Sequence, residues 1–179
     1  MSLATLAKII GAVIVVANFV AVIAPGFFRR ALNAFPRNRL AAWVLIATDL
    51  FWVAWIILHA HLGRFEGLKP FVYAAGPIGF LLIVFFMDEL LAPRGLGGLL
   101  LLVCDPVLDA ARWHPSDWRY VMTVLAYLWV IAGITLILSP YRFRKVAEFM
   151  TRTDQRTRVL GAARLALGLL VLSLGLFVY

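Results

Sequence analysis

The chain has 179 residues, 64% of them hydrophobic and only 15% charged, with a formal net charge of +8. A soluble domain is closer to half apolar and a quarter charged, so the composition excludes one and points to a polytopic helical membrane protein. The positive charge sits in short loops between apolar runs, which argues against a nucleic-acid surface, and the short alternating segments of a transmembrane barrel are missing.

The first predicted helix runs from Leu3 to Ala24, where Pro25 breaks it. Lys8 followed by an apolar run resembles a signal peptide. Pro25, however, directly follows the one small-residue cleavage position and a basic turn comes next, so the helix is expected to be retained. Phe28, Leu32 and Phe35 then share one helical face, with Arg29, Arg30 and Asn33 off it. That spacing predicts a short helix lying in the membrane interface. A second span is expected from Leu40 to Leu62. A polar link with Arg64, Glu66 and Lys69 leads to a third, from Pro70 to Leu91, which carries Asp88 and Glu89 near its end. Ala92-Pro93-Arg94 reads as a tight turn.

The stretch from Gly95 to Trp113 is apolar only in its first half, and by hydropathy alone it would be half a span or an interfacial helix. Charge decides otherwise. The two basic turns, residues 24–40 and 139–164, are both strongly positive and belong on one side of the membrane. An even number of passages must then separate them, so this stretch has to return, as a short fourth segment or as one arm of a re-entrant hairpin. An outer link, His114 to Arg119, follows between the interfacial anchors Trp113, Trp118 and Tyr120. The fifth span is expected from Tyr120 to Ser139, a second basic turn from Pro140 to Arg158, and the sixth span from Val159 to Tyr179.

The expected fold is therefore all-α, a transmembrane bundle of about six segments in three hairpins. Residues 1–179 form one integral membrane domain, with hairpins at 1–62, 63–119 and 120–179. The last is related to the first as a repeat, since Phe28, Arg29 and Arg30 follow Pro25 at the offsets at which Phe143, Arg144 and Lys145 follow Pro140. Both termini are expected outside and the basic turns in the cytoplasm. There Arg29, Arg30, Arg37, Arg39, Arg142, Arg144, Lys145, Arg152, Arg156 and Arg158 would contact anionic head groups of the inner leaflet.

Pro140, Phe143, Arg144 and Lys145 after an apolar run, then Arg158 and Gly161 opening a second one, form a pattern. In it the last forty or so residues resemble a family of very small bacterial inner-membrane proteins, catalogued as a domain of unknown function. The first hairpin matches half of that pattern, but Arg39 is followed by Ala42 where the family has Gly. The resemblance implies a hairpin module in a bacterial inner membrane and no activity.

Polar residues inside the spans are the candidate sites. Asp49 and Arg164 occupy the same offset from Pro25 and Pro140, and each charge alone near mid-membrane would cost at least about 2.5 kcal/mol. They are expected to form a buried ion pair joining the first and last hairpins, and Asn18 is a candidate hydrogen-bond partner for Asp49. Gly161, Gly168 and Gly175 recur every seven residues and predict a close helix contact. Asp105, Asp109 and Arg112 share one helical face. They read either as an ion path or as a local feature in which Asp105 caps a helix restarting at Pro106. His59, His61 and His114 all map to outer helix ends, where one imidazole would suit haem or chlorophyll, although the H-A-H spacing suits no single metal. No cofactor and no metal is expected.

No phosphate loop, H-E-x-x-H or nucleophile elbow occurs, so no enzyme is expected. Cys104 is alone and can form no internal disulfide. The leading functional expectation is a non-enzymatic subunit of a larger membrane assembly, in contact with other subunits or with its own copies. The alternatives are a small ion channel or ion-coupled carrier, and a pigment-binding subunit.

Overall fold

The structure, a computed structural model, describes residues 2–87 and 90–179. The described residues are mostly helical with no strand, and six helices are long and apolar enough to cross a bilayer, which makes the chain a multi-pass membrane protein. In chain order the six are α1 (Leu3–Ile23), α3 (Arg39–His59), α4 (Lys69–Phe86), α5 (Leu91–Arg112), α6 (Arg119–Leu138) and α8 (Asp154–Phe177), with the short α2 (Pro25–Ala34) after α1 and the short α7 (Tyr141–Met150) after α6. Polar caps mark three starts. Ser2 accepts from the Thr5 amide, Asn38 from Ala41 and Thr153 from Arg156, each filling an otherwise orphaned donor at a helix N-terminus. Pro25 is the first residue of one surface helix and Pro140 directly precedes the other, both places where a missing N–H costs nothing.

The two basic turns meet at one end of the bundle. The α2 helix packs on α7 and α8, the Phe35 and Phe143 rings lie 5.3 Å apart, and Arg29 reaches Asp154 at 3.4 Å. Phe28, Leu32 and Phe35 are half-buried while Arg29, Arg30 and Asn33 are exposed, as the face spacing requires. The opposite end is closed by the Tyr179 hydroxyl, which donates to the Trp118 carbonyl at 2.6 Å, and by His114 set edge-on to the Tyr179 ring.

Only some of the packed helices are consecutive in the chain. α1 lies along α8, and α5 along α6; α3 rests on α5, and α4 touches the rest mainly through α3. Glycines explain the choice. Gly161, Gly168 and Gly175 face Ala21, Ile14 and Ala7, so a seven-residue stripe on α8 meets a seven-residue stripe on α1 running the other way. A Cβ on Gly11 would stand 2.6 Å from the Leu172 backbone nitrogen. On α5 the run Gly95, Gly97, Gly98 serves two neighbours. Gly97 crosses Gly133 of α6 so closely that a Cβ on either would stand 2.8 Å from the other's carbonyl oxygen, while Gly95 and Gly98 admit α3.

Three expectations differ from the structure. The stretch expected as a short or re-entrant fourth segment is one continuous helix that begins earlier, at Leu91, and runs through both Pro93 and Pro106. It is the most buried of the six, because its glycines and small residues put it between α3 and α6. Its weak hydropathy reflects that central position. Ala92-Pro93-Arg94 is not a turn but the first turn of α5, where proline is tolerated; the chain reverses just before it, where Leu90 has φ of 55°. Nor does Asp105 cap a restarted helix, since Pro106 lies inside α5.

The core has two parts. At the end holding the termini, Leu3, Leu6, Ala7 and Ile10 of α1 pack with Cys104, Val107 and Ala111 of α5, Met122, Leu125 and Ala126 of α6, and Val171 of α8. Nearer the basic end, Ala42 and Ile46 of α3 pack on Leu91 and Ala92 of α5. Those are the only buried residues of α3, and α4 has none among the described residues.

Candidate functional site

Asp49 and Arg164 do not meet. A Cβ on Gly98 would stand 2.5 Å from Asp49 Oδ2, so the carboxylate is seated on α5 in the notch that glycine leaves. Its Oδ1 is buried without a hydrogen-bond partner. Arg164 instead donates to Met150 Sδ at 3.0 Å, at the end of α7. The reason is packing: the α8 stripe commits that helix to α1, and α3 is committed to α5. Equal offsets from two prolines do not make neighbours when the helices that carry the two residues, α3 and α8, are not packed on one another. Asn18 is buried on α1 and donates to the Ile14 carbonyl at 2.8 Å, within its own helix, not to Asp49.

One face of α5 carries most of the remaining intramembrane charge. Arg94, Gly98 with Asp49 against it, Asp105, Asp109 and Arg112 follow at helical spacing along a single stripe. Arg94 has a buried Nε with no hydrogen-bond partner. The sequence suggests Asp88 or Glu89 for it, but both lie outside the described residues. Asp105, Asp109 and Arg112 are all exposed. At about 1.5 Å per residue, Asp105 lies about 21 Å along a helix about 33 Å long, well inside the span. There α3 offers no cover, since its outer half buries nothing.

The histidines stay apart. His59 stacks on Trp55 at 4.0 Å and donates from Nδ1 to the Trp55 carbonyl. His114 accepts from the Ser116 amide through Nδ1. His61 is exposed in the link. No cluster of three metal-ligating side chains occurs among the described residues.

The ten basic residues separate into groups. Arg29 is paired with Asp154, Arg30 donates to the Gly26 carbonyl of its own helix, Arg156 lies over the Phe149 ring at 3.8 Å and Lys145 over Tyr141 at 5.3 Å. The Arg142 guanidinium beside it holds the Tyr141 phenol below the usual tyrosine range. Arg152 and Arg158 project into solvent. Arg37, Arg39 and Arg144 differ from all of these in lining an open crevice where the two basic turns meet. Sequence reasoning missed that crevice, and it missed Gly98 as the seat of Asp49. The spacing of Gly95 and Gly98 was the available signal for the second, while nothing local foretold the first, which is made by residues a hundred or so apart in the chain. No known protein family, curated protein or solved structure matches the chain.

Proposed function

We propose that this protein is a structural or assembly subunit of a larger complex in the bacterial inner membrane, with the basic end in the cytoplasm against anionic lipid and both termini outside. The observation that carries this reading is the exposure of Asp105 and Asp109 within a membrane-crossing helix. A carboxylate facing hydrocarbon costs several kcal/mol, and such residues face protein or water in membrane bundles. The described residues supply no cover on that side, and α4 adds an apolar flank with none of them packed outside it. Another membrane chain on the α5 stripe would supply that cover. Native gels of mild-detergent extracts test it. A band heavier than the 20.0 kDa chain and its micelle is expected, and Asp105→Leu is expected to dissociate it. A monodisperse monomer from native membranes, with nothing co-purifying, would overturn the reading.

One observation favours a second reading. Asp49 of α3, with a buried unpartnered oxygen, lies against the α5 stripe that carries Asp105 and Asp109, as carboxylates along an ion path would. Liposome flux separates the two, because the subunit reading expects none from the isolated chain. Flux lost in Asp49→Asn would favour the carrier.

A further inference from the structure

We infer that the crevice between the two basic turns is a binding site for one anionic phospholipid whose head group carries hydroxyls, of the phosphatidylglycerol type. The crevice has two lobes, of about 640 and 290 Å³, that share Pro36, Arg37, Leu90 and Arg144 as a common wall. Each lobe suits a different part of such a molecule.

The shared wall suits the phosphate. Arg37 comes from the turn after α2 and Arg144 from α7, so two guanidinium groups from opposite ends of the sequence border one space, with Arg39 and Asn38 beside them in the larger lobe. None of the three arginines forms an ion pair or a side-chain hydrogen bond with another described residue, in contrast to Arg29 and Arg30 of the same turn. Guanidinium groups bind phosphate oxygens in pairs of parallel hydrogen bonds, which a site between two of them favours. Arg94, on the first turns of α5 with the lining residues Leu91 and Ala92, adds positive charge at the same end.

The larger lobe then turns apolar. Trp43 stands one helical turn beyond Arg39 on α3, about 6 Å deeper into the membrane. Val84 and Phe85 of α4 face it across the lobe, and Trp43 and Phe85 are exposed. A soluble anion has no use for that wall; an acyl chain rising from a phosphate between Arg37 and Arg144 does. Tryptophan at this depth is a familiar interfacial anchor. The smaller lobe is polar, bounded by Asn33 of α2 and Glu148 of α7. A carboxylate there accepts hydrogen bonds from hydroxyls, which suits a glycerol head group. Three arginines border the two lobes, which favours a lipid whose phosphate charge is not balanced by an ammonium of its own.

The site goes beyond the subunit reading and does not depend on it or on membrane orientation, because it is tested on the purified full-length chain in detergent. Native mass spectrometry of delipidated protein, titrated with phosphatidylglycerol, phosphatidylethanolamine, phosphatidic acid or inorganic phosphate, gives the comparison. One phosphatidylglycerol is expected to bind at least about tenfold more tightly than phosphatidylethanolamine. Arg37→Gln with Arg144→Gln should remove that preference, while Arg152→Gln with Arg158→Gln, which loses the same charge elsewhere, should keep it. Arg37→Lys with Arg144→Lys keeps the charge and guards against misfolding; an intermediate loss is expected, because the paired geometry goes. Glu148→Ala should weaken phosphatidylglycerol binding and leave that of phosphatidic acid, which has no head-group hydroxyls, unchanged. Equal binding of the zwitterionic lipid, equal loss in the Arg152/Arg158 control, or saturation by inorganic phosphate alone would overturn the lipid site. An unchanged Glu148→Ala profile would overturn the head-group assignment.

Discussion

A side chain on an α-helix leans toward the helix N-terminus. In α8 that direction is toward the basic end, so the long arm of Arg164 carries its guanidinium away from mid-membrane to Met150 near the surface. Asp49 has too short an arm for this and stays where the backbone puts it, in the notch at Gly98. The two residues therefore solve the same desolvation problem separately. A double-mutant cycle of Asp49→Asn and Arg164→Gln, followed by thermal unfolding in detergent, should give a coupling below about 0.5 kcal/mol. Arg164→Gln alone should cost under about 1 kcal/mol, the scale of an accessible polar contact, and Asp49→Asn should not destabilise. A coupling above about 1 kcal/mol would mean that the pair touches after all. The sequence showed that each residue sits inside a span; it could not show the partner, because that depends on which helices pack.

Among the elements, glycine decides the packing, and the four glycines of two helix pairs should behave differently from two on α4. Gly11 and Gly168 hold α1 against α8, and a Cβ on Gly168 would stand 2.8 Å from Ile14 and 3.0 Å from the Val15 backbone nitrogen. Gly97 and Gly133 hold α5 against α6 in the same way. Alanine at any of these should destabilise by about 1–3 kcal/mol through overpacking. Gly76 and Gly79 of α4 have nothing within 4 Å of a built Cβ. Alanine there should stabilise by about 0.5–1 kcal/mol through helix propensity alone. Helix content and midpoint temperature by circular dichroism would check the contrast, which a uniform response of all six would defeat. The seven-residue stripe on α8 was legible, as were five of the six spans to within a few residues. Its partner was not, because Gly11 is the one glycine of α1 and carries no repeat of its own. The continuous α5 was also hidden, since burial between protein neighbours removes the need for an all-apolar surface by which spans are recognised.

At the scale of the whole molecule, the meeting of the basic turns is the feature from which the rest follows. With α2 against α7 at one end, and Tyr179, His114 and Trp118 in contact at the other, six crossings are the arrangement that lets the chain connect them. Charge alone had required both turns on one side, and that inference holds because loop charge acts locally and does not depend on how helices pair. Labelling separates the arrangement from its orientation. Cys104 is the sole cysteine and is buried, so a Cys104→Ala background removes its signal at little structural risk. Arg30→Cys, Arg152→Cys and Asp117→Cys then place single thiols at exposed positions, two at the basic end and one at the other. With a membrane-impermeant maleimide, Arg30→Cys and Arg152→Cys should react only in inverted vesicles, and Asp117→Cys only in intact spheroplasts. The converse pattern, with the first two still alike, would reverse the orientation and leave the bundle as described. Reaction of Arg30→Cys and Arg152→Cys from opposite faces would separate Phe35 from Phe143 and Arg29 from Asp154, and with them both the six-crossing bundle and the lipid crevice.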